Sequence, residues 1–208
     1  MGIFIDDQNK FSIYDVPKGG GTTIRSWINF AGDGSTNLID VDGRYKPTDR
    51  HYHLLEREWK CYTTDFFIKT QYERVAVKRD PIKRFISCYC DKVLYEKHGS
   101  YNDVDDLIDN FDYMINDKFK HPSNTKIGYL WYHFAPQVNH LGYNVNYYDL
   151  IIDISQINSI LKEYLRQKWN IDLPEIHARK QKQKITLTEK QIEKLKQIYK
   201  EDYQVGWC

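Results

Sequence analysis

The sequence predicts an α/β fold of three layers, in which a central, mainly parallel sheet is flanked by helices. Strand-like apolar segments alternate with segments of helical periodicity along the chain, and this order is typical of parallel sheets. A glycine-rich turn joins the first predicted strand, 11–16, to the first predicted helix, 23–31. Because the 208 residues show no compositional break, we expect one domain, 1–208.

The elements after this first pair follow from local signals. A β-branched strand is predicted over 74–78, and a helix over 81–97 has Asp80 as its N-cap and Pro81 at its first position. Helical spacing of apolar residues and a capping-box pair, Thr188 and Gln191, indicate later helices. The later elements are predicted at 104–117 (helix), 129–139 (helix), 144–148 (strand), 155–168 (helix) and 188–203 (helix).

Composition describes a globular protein and restricts its partners. Hydrophobic residues make up 41% of the chain and aromatic residues 15%, which suits a packed core. The formal net charge is +1, so no global charge favours nucleic acid or a membrane surface. The four cysteines lack zinc-ligand spacing, and we expect neither a signal peptide nor a bilayer-spanning apolar run. We therefore expect a soluble cytoplasmic protein with reduced thiols.

A glycine-rich turn directly after the strand-like run FSIYDVP predicts a phosphate-binding site. Glycines let the backbone approach an anion, and the following helix directs N–H groups and its positive dipole end toward it. The turn consists of Lys18, Gly19, Gly20, Gly21, Thr22 and Thr23. In a Walker A loop the lysine follows the glycines, whereas here it precedes them. This order favours a phosphate-bearing donor other than ATP or GTP; a turn without a ligand is the alternative.

A second phosphate site is predicted where the strand 74–78 ends. Arg79 follows this strand, at the sheet edge where open α/β folds bind ligands, and Ser87 lies two turns into the next helix. A planar guanidinium and a hydroxyl together suit a phosphate group. Arg84 shares the helix face of Ser87, and we interpret it as a surface salt-bridge residue. Two phosphate sites imply a donor with phosphate at both ends of a nucleoside.

The PKGGGTT turn and the segment RDPIKRFIS (79–87) together resemble the 5′-phosphosulfate and 3′-phosphate motifs of sulfotransferases. These enzymes use 3′-phosphoadenosine 5′-phosphosulfate (PAPS). Further segments resemble the carbohydrate branch, which includes heparan 2-O- and chondroitin-type enzymes: HFAPQ (133–137), YYDLI (147–151) and IYKEDYQVGW (198–207). Phe134 stands where that branch has tryptophan. The resemblance implies a P-loop-like fold and in-line sulfuryl transfer, without a metal, to a hydroxyl of a sugar or glycan.

A transferase of this kind needs a base for the acceptor hydroxyl, and the histidines of RHYH are the candidates. His51 and His53 share a face if this segment is a strand, and an imidazole pKa of about 6.5 suits a general base. The resemblance to the 2-O-type branch implies that His53 is the base and that His51 binds substrate. His133 is the competing base and a second substrate-binding candidate. A pair of surface histidines is the alternative for RHYH.

The resemblance also assigns roles to the two phosphate sites. Lys18 is expected to donate to the bridging oxygen of the leaving phosphate, and Gly19 to Thr23 to surround the 5′-phosphosulfate. Arg79 and Ser87 are expected to hold the 3′-phosphate. The basic segment RKQKQK (179–184), with Arg179, is expected to close over this phosphate, or else to be an ordinary solvated loop.

The chain departs from the eukaryotic carbohydrate enzymes, which are membrane-anchored Golgi proteins with disulfides. A soluble microbial or viral version is expected, with a trimmed catalytic domain as the alternative. Two other functions are the alternatives to sulfuryl transfer. A P-loop kinase needs an acidic strand end for Mg²⁺, but here the strand ends in Lys78 and Arg79. A non-catalytic nucleotide-binding module is disfavoured by the intact Lys18, Arg79 and Ser87.

Overall fold

The computed structural model describes residues 2–6, 8–33, 72–98, 101–111, 126–176 and 184–208. These residues belong to two compact units. The first comprises Met1–Lys78 and Asn146–Arg179, and the second comprises Arg79–Val145 and Lys180–Cys208. Whether they act as one domain over 1–208 stays a prediction.

A four-stranded sheet forms the first unit. Its strands, in spatial order, are β1 (Gly2–Asp6), β2 (Phe11–Asp15), β3 (Glu73–Lys78) and β4 (Leu150–Asp153). The pairs β2–β3 and β3–β4 are parallel, while β1 is an antiparallel edge strand that the sequence reasoning missed. The predicted α/β class with a mainly parallel sheet flanked by helices is therefore confirmed.

The α-helices among the described residues are short, apart from the first. They are α1 (Gly21–Asp33), α2 (Pro81–Cys88), α3 (Val104–Asp109), α4 (Lys126–Phe134), α5 (Val138–Leu141), α6 (Lys162–Trp169), α7 (Glu189–Ile198) and α8 (Lys200–Val205). A π-helical segment, Tyr89–Tyr95, continues α2, and a second one, Ile157–Leu161, precedes α6. The predicted caps are confirmed: Asp80 accepts from the Lys83 N–H, and Thr188 forms a capping box with Gln191.

The core of the first unit lies on one face of the sheet. Alternate strand residues point to the same face, so Ile13, Val75 and Ile152 meet there. Against them pack buried residues of α1 and α6, such as Trp27 and Leu165. The Trp27 indole N–H donates to the Pro174 carbonyl at 2.9 Å, which satisfies its one buried polar atom. This packing seats α1 against the end of β2.

The second unit has its own core, in which aromatic residues pack among aliphatic ones. Phe85 of α2 packs edge-on against Phe134 of α4, and Phe111 packs edge-on against Tyr199. Leu195 of α7 is fully buried in the same cluster. The apolar spacing read over 104–117 therefore marked the buried face of α3, which includes Leu107 and Ile108.

The strand predicted over 144–148 is wrong. Residues Val145–Tyr147 form a 3₁₀ turn, and the strand begins later, at Leu150. Asp149 provides the reason, because its carboxylate accepts from the Arg74 backbone N–H at 2.8 Å and so anchors the entry to β4. The β-branched Ile151 and Ile152 then pair with β3. Of the helix predicted over 104–117, residues 112–117 lie outside the described residues.

Candidate functional site

The glycine-rich turn connects the end of β2 to the start of α1, as the sequence predicts. The Gly19 N–H donates to the Val16 carbonyl at 2.8 Å, and Lys18 has a positive φ of 65°. The α1 helix then begins at Gly21, where its first N–H groups lack helical acceptors. Thr22 is exposed in this first turn, whereas Thr23 is buried. The turn therefore has the strand–turn–helix layout of an anion site.

Glycine is required at two positions of this turn for different reasons. Gly20 has a φ of 99°, and a Cβ atom there would collide with the Cδ1 atom of Ile157. At Gly21 a Cβ atom would collide with the Oδ2 atom of Asp15. The turn thus lies directly on the end of β2, with no room for side chains beneath it. Gly20→Ala and Gly21→Ala would both displace its backbone.

Asp15 lies beneath this turn, and the sequence reasoning did not single it out. It is 5% exposed, and its Oδ1 atom has no hydrogen-bond partner among the residues that the structure describes. Burial raises the pKa of Asp15 to about 7, while the positive charge of Arg25 on α1 opposes the rise. The sequence does contain a signal that could have identified Asp15: an acidic residue stands two positions after Ile13, on the core-facing side of an apolar strand.

The second predicted phosphate site begins where β3 ends. The Arg79 backbone N–H donates to Oε1 of Gln137 at 3.0 Å, and its carbonyl accepts from Nε2 of the same side chain at 2.8 Å. Asp80 and Pro81 then start α2, and Ser87 lies half-buried in its second turn. The backbone of Arg79 is therefore held by a side chain 58 residues away.

Arg84 is not a surface residue, so its interpretation as a surface salt bridge is wrong. It is fully buried, and its guanidinium donates to the carbonyls of His133, Phe134 and Ala135. These carbonyls lie at the C-terminal end of α4, where helical acceptors are left without donors. The planar, permanently charged donor group of arginine satisfies several of them at once and complements the helix dipole.

A family model described as the sulfotransferase family matches residues 1–205. The chain belongs to the sulfotransferase family. Its P-loop-like α/β fold and its activity class, sulfuryl transfer, follow from this membership. Comparison with curated proteins gives no match, and comparison with solved structures gives none either.

Of the three histidines predicted to act in this sulfotransferase, His133 lies among the described residues. His133 lies in the last turn of α4, and its ring is edge-on to the Tyr132 ring, with the ring centroids 5.2 Å apart. Its carbonyl accepts from Arg84 and from the Cys88 thiol. His51, His53 and Arg179 lie outside the described residues. The glycine turn belongs to the first unit, and Arg79, Ser87 and His133 belong to the second.

The described part of this sulfotransferase contains neither a cluster of metal ligands nor a membrane-spanning helix. Within it, no group of three or more His, Cys, Asp or Glu side chains is arranged to hold a metal ion. No helix within the same ranges is both long and apolar enough to cross a bilayer. Cys88 and Cys90 are buried, and Cys208 is exposed.

Asp15 makes the stability of this sulfotransferase depend on pH. Between about pH 4 and pH 7 the unfolded chain loses this proton while the folded chain keeps it. The folded state then binds more protons, so the free energy of unfolding falls as the pH rises through this window and levels off above it. At about 1.4 kcal/mol per pKa unit, the whole effect is a few kcal/mol.

We expect Asp15→Asn to remove this contribution. Relative to the wild type, the variant should gain stability steadily from pH 4 to pH 7, measured by denaturant unfolding at a series of pH values. The control is Asp172→Asn, which neutralises an exposed aspartate of the same unit. Parallel pH curves for the wild type and Asp15→Asn would contradict the prediction.

Proposed function

We propose that this sulfotransferase moves the sulfuryl group of PAPS to a hydroxyl group of a carbohydrate. The observation that carries the proposal is the lysine-first glycine turn at the N-terminus of α1, in a chain of this family. This turn packs closely against β2, and its glycines have no side chains. The phosphate of a ligand can therefore approach the backbone directly. Oxygen-rich acceptors such as sugars present the hydroxyl nucleophile that sulfuryl transfer requires.

The reaction is an in-line displacement at sulfur. A bond forms between the acceptor oxygen and sulfur, while the bond between sulfur and the bridging phosphate oxygen breaks. His53 takes the acceptor proton, and adenosine 3′,5′-bisphosphate leaves with the electron pair of the broken bond. Lys18 donates to the bridging oxygen as negative charge develops on it. The N–H groups from Gly20 to Thr23 hold the 5′ group, because the Gly19 N–H already donates to the Val16 carbonyl.

The 3′-phosphate is assigned to Arg79 and Ser87 of the second unit. Arg79 offers a planar donor pair, and Ser87 offers a hydroxyl from the second turn of α2. We assign Arg179 to the same phosphate and His51 and His133 to the acceptor. This part of the assignment rests on the motif resemblance, with the anchored backbone of Arg79 in support.

Binding of product nucleotides tests the donor assignment. We expect adenosine 3′,5′-bisphosphate to bind far more tightly than adenosine 5′-monophosphate in calorimetry. Arg79→Ala should weaken binding of the bisphosphate by about 10- to 100-fold, because a charge-assisted contact contributes roughly 1.5–3 kcal/mol. Binding of the monophosphate should change little, since it lacks the group that Arg79 is assigned to hold.

Lys83→Ala is the matched control, because Lys83 is an exposed cation on α2, the helix that follows Arg79. It should leave both affinities near the wild-type values. Equal wild-type affinity for the two nucleotides would overturn the PAPS assignment. Preferential, magnesium-dependent binding of ATP would favour a kinase instead.

A further inference from the structure

Gln137 is the last residue of the HFAPQ segment, and every polar atom of its side chain is engaged. The residue is fully buried. Its Oε1 atom accepts from the Arg79 N–H, and its Nε2 atom donates to the carbonyls of Arg79 at 2.8 Å and Trp207 at 2.6 Å. One amide thus binds both backbone groups of Arg79, as a neighbouring β-strand would.

Asp202, in the motif near the C-terminus, holds Gln137 in turn. It is also fully buried, and its two oxygens accept from the backbone N–H groups of Gln137 and Val138, both at 2.9 Å. These N–H groups begin α5, where no helical acceptors exist. Burial raises the pKa of Asp202, and the two N–H donors oppose the rise. Asp202, a residue of α8, therefore provides the acceptor oxygens that an N-cap side chain usually provides at the start of a helix.

The N-terminal part of HFAPQ is also held by hydrogen bonds from other elements. The carbonyl of Phe134 accepts from the Tyr199 hydroxyl at 2.8 Å and from Arg84 at 3.3 Å. Arg84 follows Arg79 by five residues, so the segment that carries Arg79 meets HFAPQ at both of its ends. The donors and acceptors of these hydrogen bonds are buried or partly buried. In such surroundings, a donor or acceptor left without its partner lowers the stability of the fold most.

We propose that Gln137 and Asp202 are positioning residues that set the backbone of Arg79 for recognition of the 3′-phosphate of the donor. Arg79 lies between β3 and α2 and belongs to neither element. The origin and direction of its long side chain therefore depend on the Gln137 amide. Bidentate binding of a phosphate tolerates little misplacement, so loosening this backbone weakens the contact without touching the nucleotide. The inference rests on the proposed function, in which Arg79 holds that phosphate.

Gln137→Met tests the inference, because it keeps the length of the side chain and removes its hydrogen bonds. We expect the affinity for adenosine 3′,5′-bisphosphate to fall by about tenfold, while that for adenosine 5′-monophosphate stays within about twofold. The readout is the ratio of the two affinities, which a general loss of stability does not change. In the background of Arg79→Ala, adding Gln137→Met should cause little further loss, because both changes remove one interaction.

Two further variants keep the test decisive. Asp202→Asn retains one acceptor oxygen and should lower the same ratio by a smaller factor; it carries the test if Gln137→Met does not fold. Leu107→Ala is the stability control, since it opens a cavity in the core of the same unit. It should lower the melting temperature and leave the ratio unchanged.

The outcomes separate this inference from the donor assignment. If the wild type prefers the bisphosphate and Gln137→Met keeps that preference, the positioning role is overturned and the donor assignment stands. If Leu107→Ala lowers the ratio as much as Gln137→Met does, Gln137 is only a structural residue and the inference is also overturned. If the wild type shows no preference, the donor assignment fails and the inference fails with it.

Discussion

His53→Ala is expected to lower kcat for sulfuryl transfer by about 10²–10⁴-fold, the usual contribution of a general base. Binding of adenosine 3′,5′-bisphosphate should stay within about twofold, because the base contacts the acceptor and not the nucleotide. Steady-state kinetics and calorimetry together measure the two effects. His51→Ala should do less damage and should act mainly on the KM for the acceptor.

The pH dependence of the rate distinguishes His53 from other titrating groups. The wild-type rate should fall on the acid side with an apparent pKa between about 6 and 7, as the imidazole is protonated. Because Asp15 also titrates near neutral pH, the profile should be repeated in Asp15→Asn. The acid limb should persist there and should disappear in the residual activity of His53→Ala.

His133→Ala is the control that can reassign the base. An inactive His133→Ala together with a nearly normal His53→Ala would move the base to HFAPQ, and the likeness to the 2-O-type branch would then be misleading. Loss of activity in neither variant would assign the proton to another group. A structure with product nucleotide and acceptor bound would then identify it.

Lys18→Ala is expected to lower kcat by about 10²-fold or more, with a smaller loss of affinity for the product nucleotide. The reason is that charge on the bridging oxygen develops only as the bond to sulfur breaks, so Lys18 acts mainly on the transition state. Its place before the glycines, at a φ of 65°, distinguishes it from a Walker A lysine.

Lys10→Ala is the matched control for Lys18→Ala. Lys10 is an exposed lysine with a φ of 56° in the turn between β1 and β2. Replacing it with alanine therefore has the same effect on backbone strain as Lys18→Ala, but at a position that is not assigned to PAPS. It should leave kcat unchanged. If Lys18→Ala raises only the KM for PAPS, Lys18 binds ground state and transition state equally and has no special role in the chemical step.

Much of the fold was predictable because its signals are local. The β2–turn–α1 unit, the strand β3, and the caps Asp80 and Thr188 each depend on residues a few positions apart. The edge strand β1 was missed because its place in the sheet depends on antiparallel pairing with β2, a contact between strands that the local sequence pattern does not show. The start of β4 was misplaced because Asp149 finds its donor, Arg74, on a different strand.

Residue order along the chain is enough to establish the chemical character of this protein, namely the family, the α/β class and the lysine-first glycine turn. Those conclusions depend on residues a few positions apart, through backbone freedom and helix capping. Three features became apparent only from the folded chain: Asp15 is buried beneath the turn, Arg84 caps α4, and Gln137 binds the Arg79 backbone. These contacts join residues up to 58 positions apart, and a buried polar group takes whichever partner the packing brings to it.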